Sequence, residues 1–171
     1  MSAVGAVRRV AERVLEVVCA ALMIGLAVVV GLAVVFRYSG ASLVWYDEVT
    51  PIILAWLTYY GAALAALRRA HLGFPGLVAA APVGFRIPAL IVSETLVIGF
   101  FLVVAWYGWQ VVQLLAGNTL ISLPWVPVSL TQSVIPFGAL LIALAEALTI
   151  PERWQEARSG GRLAEHEETP L

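Results

Sequence analysis

The chain has 171 residues, of which 61% are hydrophobic and 12% charged, and its mean hydropathy is +0.94. Soluble domains carry about a quarter charged residues, so this composition excludes an ordinary soluble fold and points to a membrane protein. The net charge of −1 offers no field for nucleic acid, and the single cysteine, Cys19, leaves no intrachain disulfide and no cysteine-pair redox chemistry.

In chain order, Arg8, Arg9 and Arg13 precede an uncharged apolar run of 20 residues at 17–36. A cleavable signal has an apolar region of about 7–15 residues, so this run reads as a retained anchor and predicts a first span at about 14–36. The run closes at Arg37, and Trp45, Tyr46, Asp47 and Glu48 follow just before a second apolar run, which predicts a span at about 49–68. Arg37 suits the negative end of one helix, and Asp47 and Glu48 suit the positive end of the next. Thr50-Pro51 reads as a helix start, with Asp47 the alternative cap. Trp45 and Tyr46 read as an interfacial anchor. This local reading leaves Arg37 placed to pair with Asp47 or Glu48, and the competing reading has the two acids engage a partner protein.

The second half divides at Gly117, Asn118 and Pro124 into a third span at about 87–115 and a fourth at about 127–149. Residues 1–151 are thus read as an all-α domain of four transmembrane helices, and 152–171 as a polar, flexible tail. Nine of the ten basic residues, all arginine, fall before span one, between spans two and three, or after span four, and only Arg37 falls elsewhere. Basic residues in short flanking segments stay in the cytoplasm, which predicts both termini inside and the 37–48 hairpin and 117–125 loop outside.

Chemistry inside a membrane needs ionisable residues at depth, and the spans hold few. Glu94 and Glu146 each fall roughly 7–12 Å from a cytoplasmic helix end at about 1.5 Å per residue. Arg68, Arg69 and Arg86 fall on that same side, which predicts ion pairs tying the inner helix ends together, against a relay role for the acids. His71 and His166 lie outside the spans, so no haem ligation or metal site is expected. No catalytic constellation emerges, and the chain is not expected to be an enzyme. What the sequence supplies is packing surface. Gly61, Ala62, Ala65 and Ala66 form a small-residue face on span two. Ser129, Gln132, Ser133 and Pro136 form a polar face on span four, where Pro136 frees the Gln132 carbonyl and predicts a kink.

The order of these features resembles the small, Q-type (DctQ-like) membrane subunit of tripartite ATP-independent periplasmic (TRAP) transporters, over about residues 14–149. The resemblance is carried by Arg37-Tyr38, Trp45, Asp47-Glu48, Trp56, Gly61-Ala62-Ala63 and Arg68-Arg69-Ala70-His71. Gly117, Leu123-Pro124 and Pro136-Phe137-Gly138 form a second, looser part. Two positions depart from the family pattern, with Pro51 where an arginine is common and Pro75 near where an acid is common. The resemblance implies a scaffold subunit of the bacterial or archaeal cytoplasmic membrane that carries no cofactor. It would brace a large M-type membrane subunit, which holds the sodium and substrate sites. A periplasmic P-type protein would capture the substrate, typically an organic acid. The competing class is a self-contained homo-oligomeric transporter that uses Glu94 as its coupling acid.

Overall fold

The computed structural model describes residues 3–68 and 83–159 of the chain. These form α1 (Ala3–Tyr38), α2 (Tyr46–Leu67), α3 (Val83–Leu114), the short α4 (Val128–Gln132) and α5 (Val134–Ser159). The described residues contain no strand, and four helical segments are long and apolar enough to cross a membrane: Val7–Tyr38, Tyr46–Leu67, Ile87–Leu114 and Val128–Pro151. A lipid environment offers the backbone no partner, so each segment satisfies its own N–H and C=O groups by forming helix, even across residues of modest helix propensity.

The ends of these helices have local causes. At the close of α1, Gly40 adopts a left-handed φ of +78°. Its N–H donates to the Arg37 carbonyl at 3.2 Å and the Ala41 N–H donates to Phe36 at 3.1 Å, a pairing that occupies carbonyls the helix leaves open. Helix α2 starts at Tyr46, earlier than Thr50-Pro51 suggests, because the Trp45 carbonyl already accepts from Val49 at 3.1 Å. Neither Thr50 nor Asp47 caps it: the flanking residue is Trp45 and no side-chain cap bond forms. Asp47 and Glu48 lie in the first turn, where the helix dipole favours anions. The fourth span is broken, where the sequence suggests a kink. Pro136 has no N–H to give the Gln132 carbonyl, and the chain turns at Ser133 between α4 and α5. Helix α5 then runs through Pro151 to Ser159, beyond the expected start of a polar tail at 152.

The helices pack as an open row, α1 on α2, α2 on α5 and α5 on α3, with α4 lying against α3 and α5. Half of the most apolar stretch of the fourth span is buried, against 6% for the first and 6% for the third, so α5 is a central helix and α1 and α3 end the row. The core joins α1, α2 and α5 through Leu15, Ala63, Ala66, Leu67, Ile142 and Ala145. Water does not drive helices together inside a membrane, so close van der Waals approach must do so, and small residues permit it. Two glycines mark the closest approaches. A Cβ added at Gly138 of α5 would lie 2.6 Å from the Tyr59 Cβ of α2, and one at Gly108 of α3 would lie 2.9 Å from Ile135 and 3.2 Å from Pro136. Gly61, by contrast, has open space beside it, and the buried small face of α2 is Ala63 and Ala66.

The atom facing Gly138 is a Cβ fixed to backbone, which cannot swing away. Gly138→Ala is therefore expected to destabilise the solubilised protein by about 1–3 kcal/mol through overpacking. Gly61→Ala should leave the thermal midpoint unchanged or raise it, since alanine favours helix and meets nothing there. Thermal denaturation followed by circular dichroism separates the two variants.

Candidate functional site

Helix α2 carries Asp47, Glu48, Trp56 and Gly61 of the residues the sequence singles out, and the row places its two ends and its middle against different neighbours. At its start, Glu48 reaches across to the loop between α3 and α4. Its carboxylate accepts the Ile121 N–H at 3.2 Å, the Ser122 N–H at 2.9 Å and the Ser122 hydroxyl. The loop itself is held in shape by a single antiparallel bridge between Thr119 and Pro127 and by Gly117, which turns at φ +96°. Glu48 thus fixes the loop to the hairpin. This replaces the expected ion pair: Arg37 and Asp47 are exposed, and among the described residues Arg37 pairs with neither acid. They line one cleft between α1 and α2.

In the middle of α2, Trp56 donates from Nε1 to the Thr131 carbonyl at 3.0 Å, tying α2 to the short helix α4, and stacks edge-on with Tyr60 at 6.1 Å. Gln132 ends α4 half-buried, and Pro136 is buried where α5 meets Gly108. Trp45 is half-buried just before α2, while Trp106 and Tyr107 of α3 are exposed and Trp109 stacks edge-on with Phe137 at 6.3 Å.

At the arginine-rich end, where α1 begins, helices are joined by charge. Arg8 pairs with Glu12 at 2.9 Å and donates to the Leu67 carbonyl at 2.6 Å, capping the end of α2. Arg68 pairs with Glu16 of α1, and Arg13 stands 3.9 Å from the same acid. Glu94 of α3 and Glu146 of α5 are 7% and 2% exposed, and both meet the Arg153 guanidinium, which lies 2.9 Å from Glu146. The expected tie between helix ends therefore exists at the arginine-rich end, but Arg153 supplies it for the two buried acids. Arg68 is taken by Glu16 instead. Arg69 and His71 lie outside the described residues, as does the conformation of the connection that holds them. The described residues contain no group of three or more His, Cys, Asp and Glu that could hold a metal.

Sequence reasoning missed Glu16, Thr131, Ser122 and Arg153. The first three are ordinary residues whose partners are 52, 75 and 74 positions away, with no periodic signal to reveal them. Arg153 carried a signal, two acids in the spans in need of a cation, which Pro151 obscured by suggesting a helix stop.

The second cleft is a trough of about 1060 Å³ on the flank of the row. Val10 and Val14 of α1 form one wall, Leu141 and Leu144 of α5 the other, and Trp56 and Tyr60 of α2 the floor. It exists because α1 packs mainly on α2. Its walls are exposed aliphatic side chains, 55% for Val14 and 60% for Leu144, without a polar or catalytic group.

Two outcomes follow from this geometry. Glu48→Ala should speed hydrogen exchange at the Ile121 and Ser122 amides on the order of tenfold, as removal of charged hydrogen bonds predicts, while the amides of α5 keep their rates. Arg153→Gln leaves two buried carboxylates without their shared cation and is expected to cost about 3–5 kcal/mol. Adding Glu94→Gln to that variant should recover part of the loss in the same denaturation assay.

Residues 26–156, from the middle of α1 into α5, match the family described as tripartite ATP-independent periplasmic transporters, DctQ component. No curated protein matches the chain.

Proposed function

From the premise that this chain belongs to the DctQ family of TRAP transporters, we propose that it is a scaffold subunit that braces the large transport subunit of its complex. As a multi-pass membrane component it adds helices to the fixed part of that subunit and gives the moving part a steady surface. The transport it serves is sodium-coupled uptake of an organic acid delivered by a periplasmic binding protein, with the sodium and substrate sites on the large subunit. The arginine distribution supports a cytoplasmic membrane location with both termini inside.

The observation that carries this reading is the open row of helices with its apolar trough. Here α1, at one end of the row, presents Val10 and Val14, and the central helix α5 presents Leu141 and Leu144, to a space with room for side chains of another transmembrane protein. Three acids of the spans, Glu48, Glu94 and Glu146, are by contrast engaged inside the chain. Glu94, on which a self-contained transporter would depend, is held by Arg153. Glu48 is held by the 121–122 loop.

The reading is tested by tagging the chain in its own host, solubilising it gently and identifying what remains bound in equimolar amount. A large polytopic membrane protein is expected, and Val14→Lys with Leu144→Lys should release it while the chain still inserts and keeps its helicity. Retention of that partner by the doubly substituted chain would contradict the role given to the trough. A stable assembly of this chain alone that moves an organic ion into vesicles would contradict the scaffold reading as a whole.

A further inference from the structure

We propose that the cleft between the end of α1 and the start of α2 is a binding site for a zwitterionic phospholipid with a primary ammonium headgroup, phosphatidylethanolamine in chemical class. The inference rests on the membrane location of the chain and is independent of the bracing role.

The cleft has a volume of about 340 Å³. Its mouth carries one cation and one anion, Arg37 from the last turn of α1 and Asp47 from the first turn of α2. Both are exposed, and neither forms an ion pair or side-chain hydrogen bond among the described residues. Glu48, the neighbouring acid, is turned away to the 121–122 loop, so it does not neutralise Arg37. Thr50, on the same wall, holds a buried hydroxyl with no partner. Below the charges the wall becomes aliphatic, with Val30, Ala33 and Val34 of α1. Val30 lies seven residues from Arg37, about 10 Å along the helix axis at about 1.5 Å per residue. The cleft therefore runs from headgroup level into the acyl region.

That sequence of chemistry, a cation and an anion at the mouth and a hydrocarbon wall beneath, matches one amphiphile. A guanidinium offers a fork of donors to a phosphate. A carboxylate accepts from a primary ammonium, which has three donor hydrogens. A quaternary ammonium has none to give Asp47, and a headgroup with phosphate alone would meet the Asp47 carboxylate as a like charge. A protein docking from outside the membrane would reach Arg37 and Asp47 but not Val30.

The test uses the purified full-length chain in mild detergent, exposed to equal amounts of phosphatidylethanolamine, phosphatidylcholine and phosphatidylglycerol of identical acyl chains, with retained lipid read by native mass spectrometry. Phosphatidylethanolamine should be retained several-fold over the other two. Asp47→Asn should remove its advantage over phosphatidylcholine, and Arg37→Gln should lower retention of all three lipids, since each carries the phosphate. Both positions are exposed, and an unchanged thermal midpoint confirms that each variant folds. Equal retention of the three lipids, or a preference untouched by both substitutions, would overturn the proposal. So would loss of the bound lipid when the large membrane partner is present, which would give the cleft to that partner.

Discussion

How closely α5 approaches α2 on one side and α3 on the other decides the rest of this structure. Inside a bilayer, apolar side chains gain little by leaving lipid for one another, so helices associate through close packing and the few hydrogen bonds available. Gly138 lets the backbone of α5 come up against Tyr59, and Gly108 lets α3 come up against Ile135 and Pro136. Buried alanines at 63, 66, 139 and 143 continue the same logic. Pro136 contributes twice, by breaking the fourth span into α4 and α5 and by filling the notch at Gly108. The break sets the Thr131 carbonyl in the path of Trp56, whose indole N–H adds a directional bond to an otherwise apolar contact.

Charges then fasten the two ends of the row. At the arginine-rich end, Arg8, Arg68 and Arg153 each bridge two helices, and their partners are Leu67, Glu16, Glu94 and Glu146. Arginine suits this task because its planar fork satisfies two acceptors at once and it stays charged when partly buried. At the hairpin end one carboxylate, Glu48, holds a whole loop by its backbone. Side chains committed in this way belong to a protein whose internal geometry is meant to hold, which agrees with a bracing role. The apolar trough is a large surface left without an internal partner.

Much of the architecture was legible in the sequence because lipid imposes it. Long uncharged runs between arginines give the number of helices, and Gly117, Asn118 and Pro124 mark the last connection. Helix pairing was not legible. In a soluble helix the apolar stripe points to the core, but α1 is apolar on all sides from 17 to 36 and gives no sign that it packs mainly on α2. The open row is invisible for the same reason. Contacts such as Glu48 to Ser122 and Trp56 to Thr131 join residues more than 70 positions apart and of unremarkable type, so only coordinates reveal them. The partner of Arg37 was misread on the assumption that neighbouring opposite charges pair. Backbone N–H groups proved the better match for Glu48, since they are fixed in place and cost no side-chain entropy.

The central claim is that this chain is a fixed brace. The direct measurement is the distance between spin labels at Met23 of α1 and Leu96 of α3, both exposed positions, in the intact transporter with Cys19 replaced by serine. The distance distribution would be recorded without ligand, with sodium alone, and with sodium and substrate. The account predicts one distribution, unchanged across the three conditions while labels on the large subunit shift. A second population that appears with substrate would show that the four helices take part in the transport motion and would contradict it.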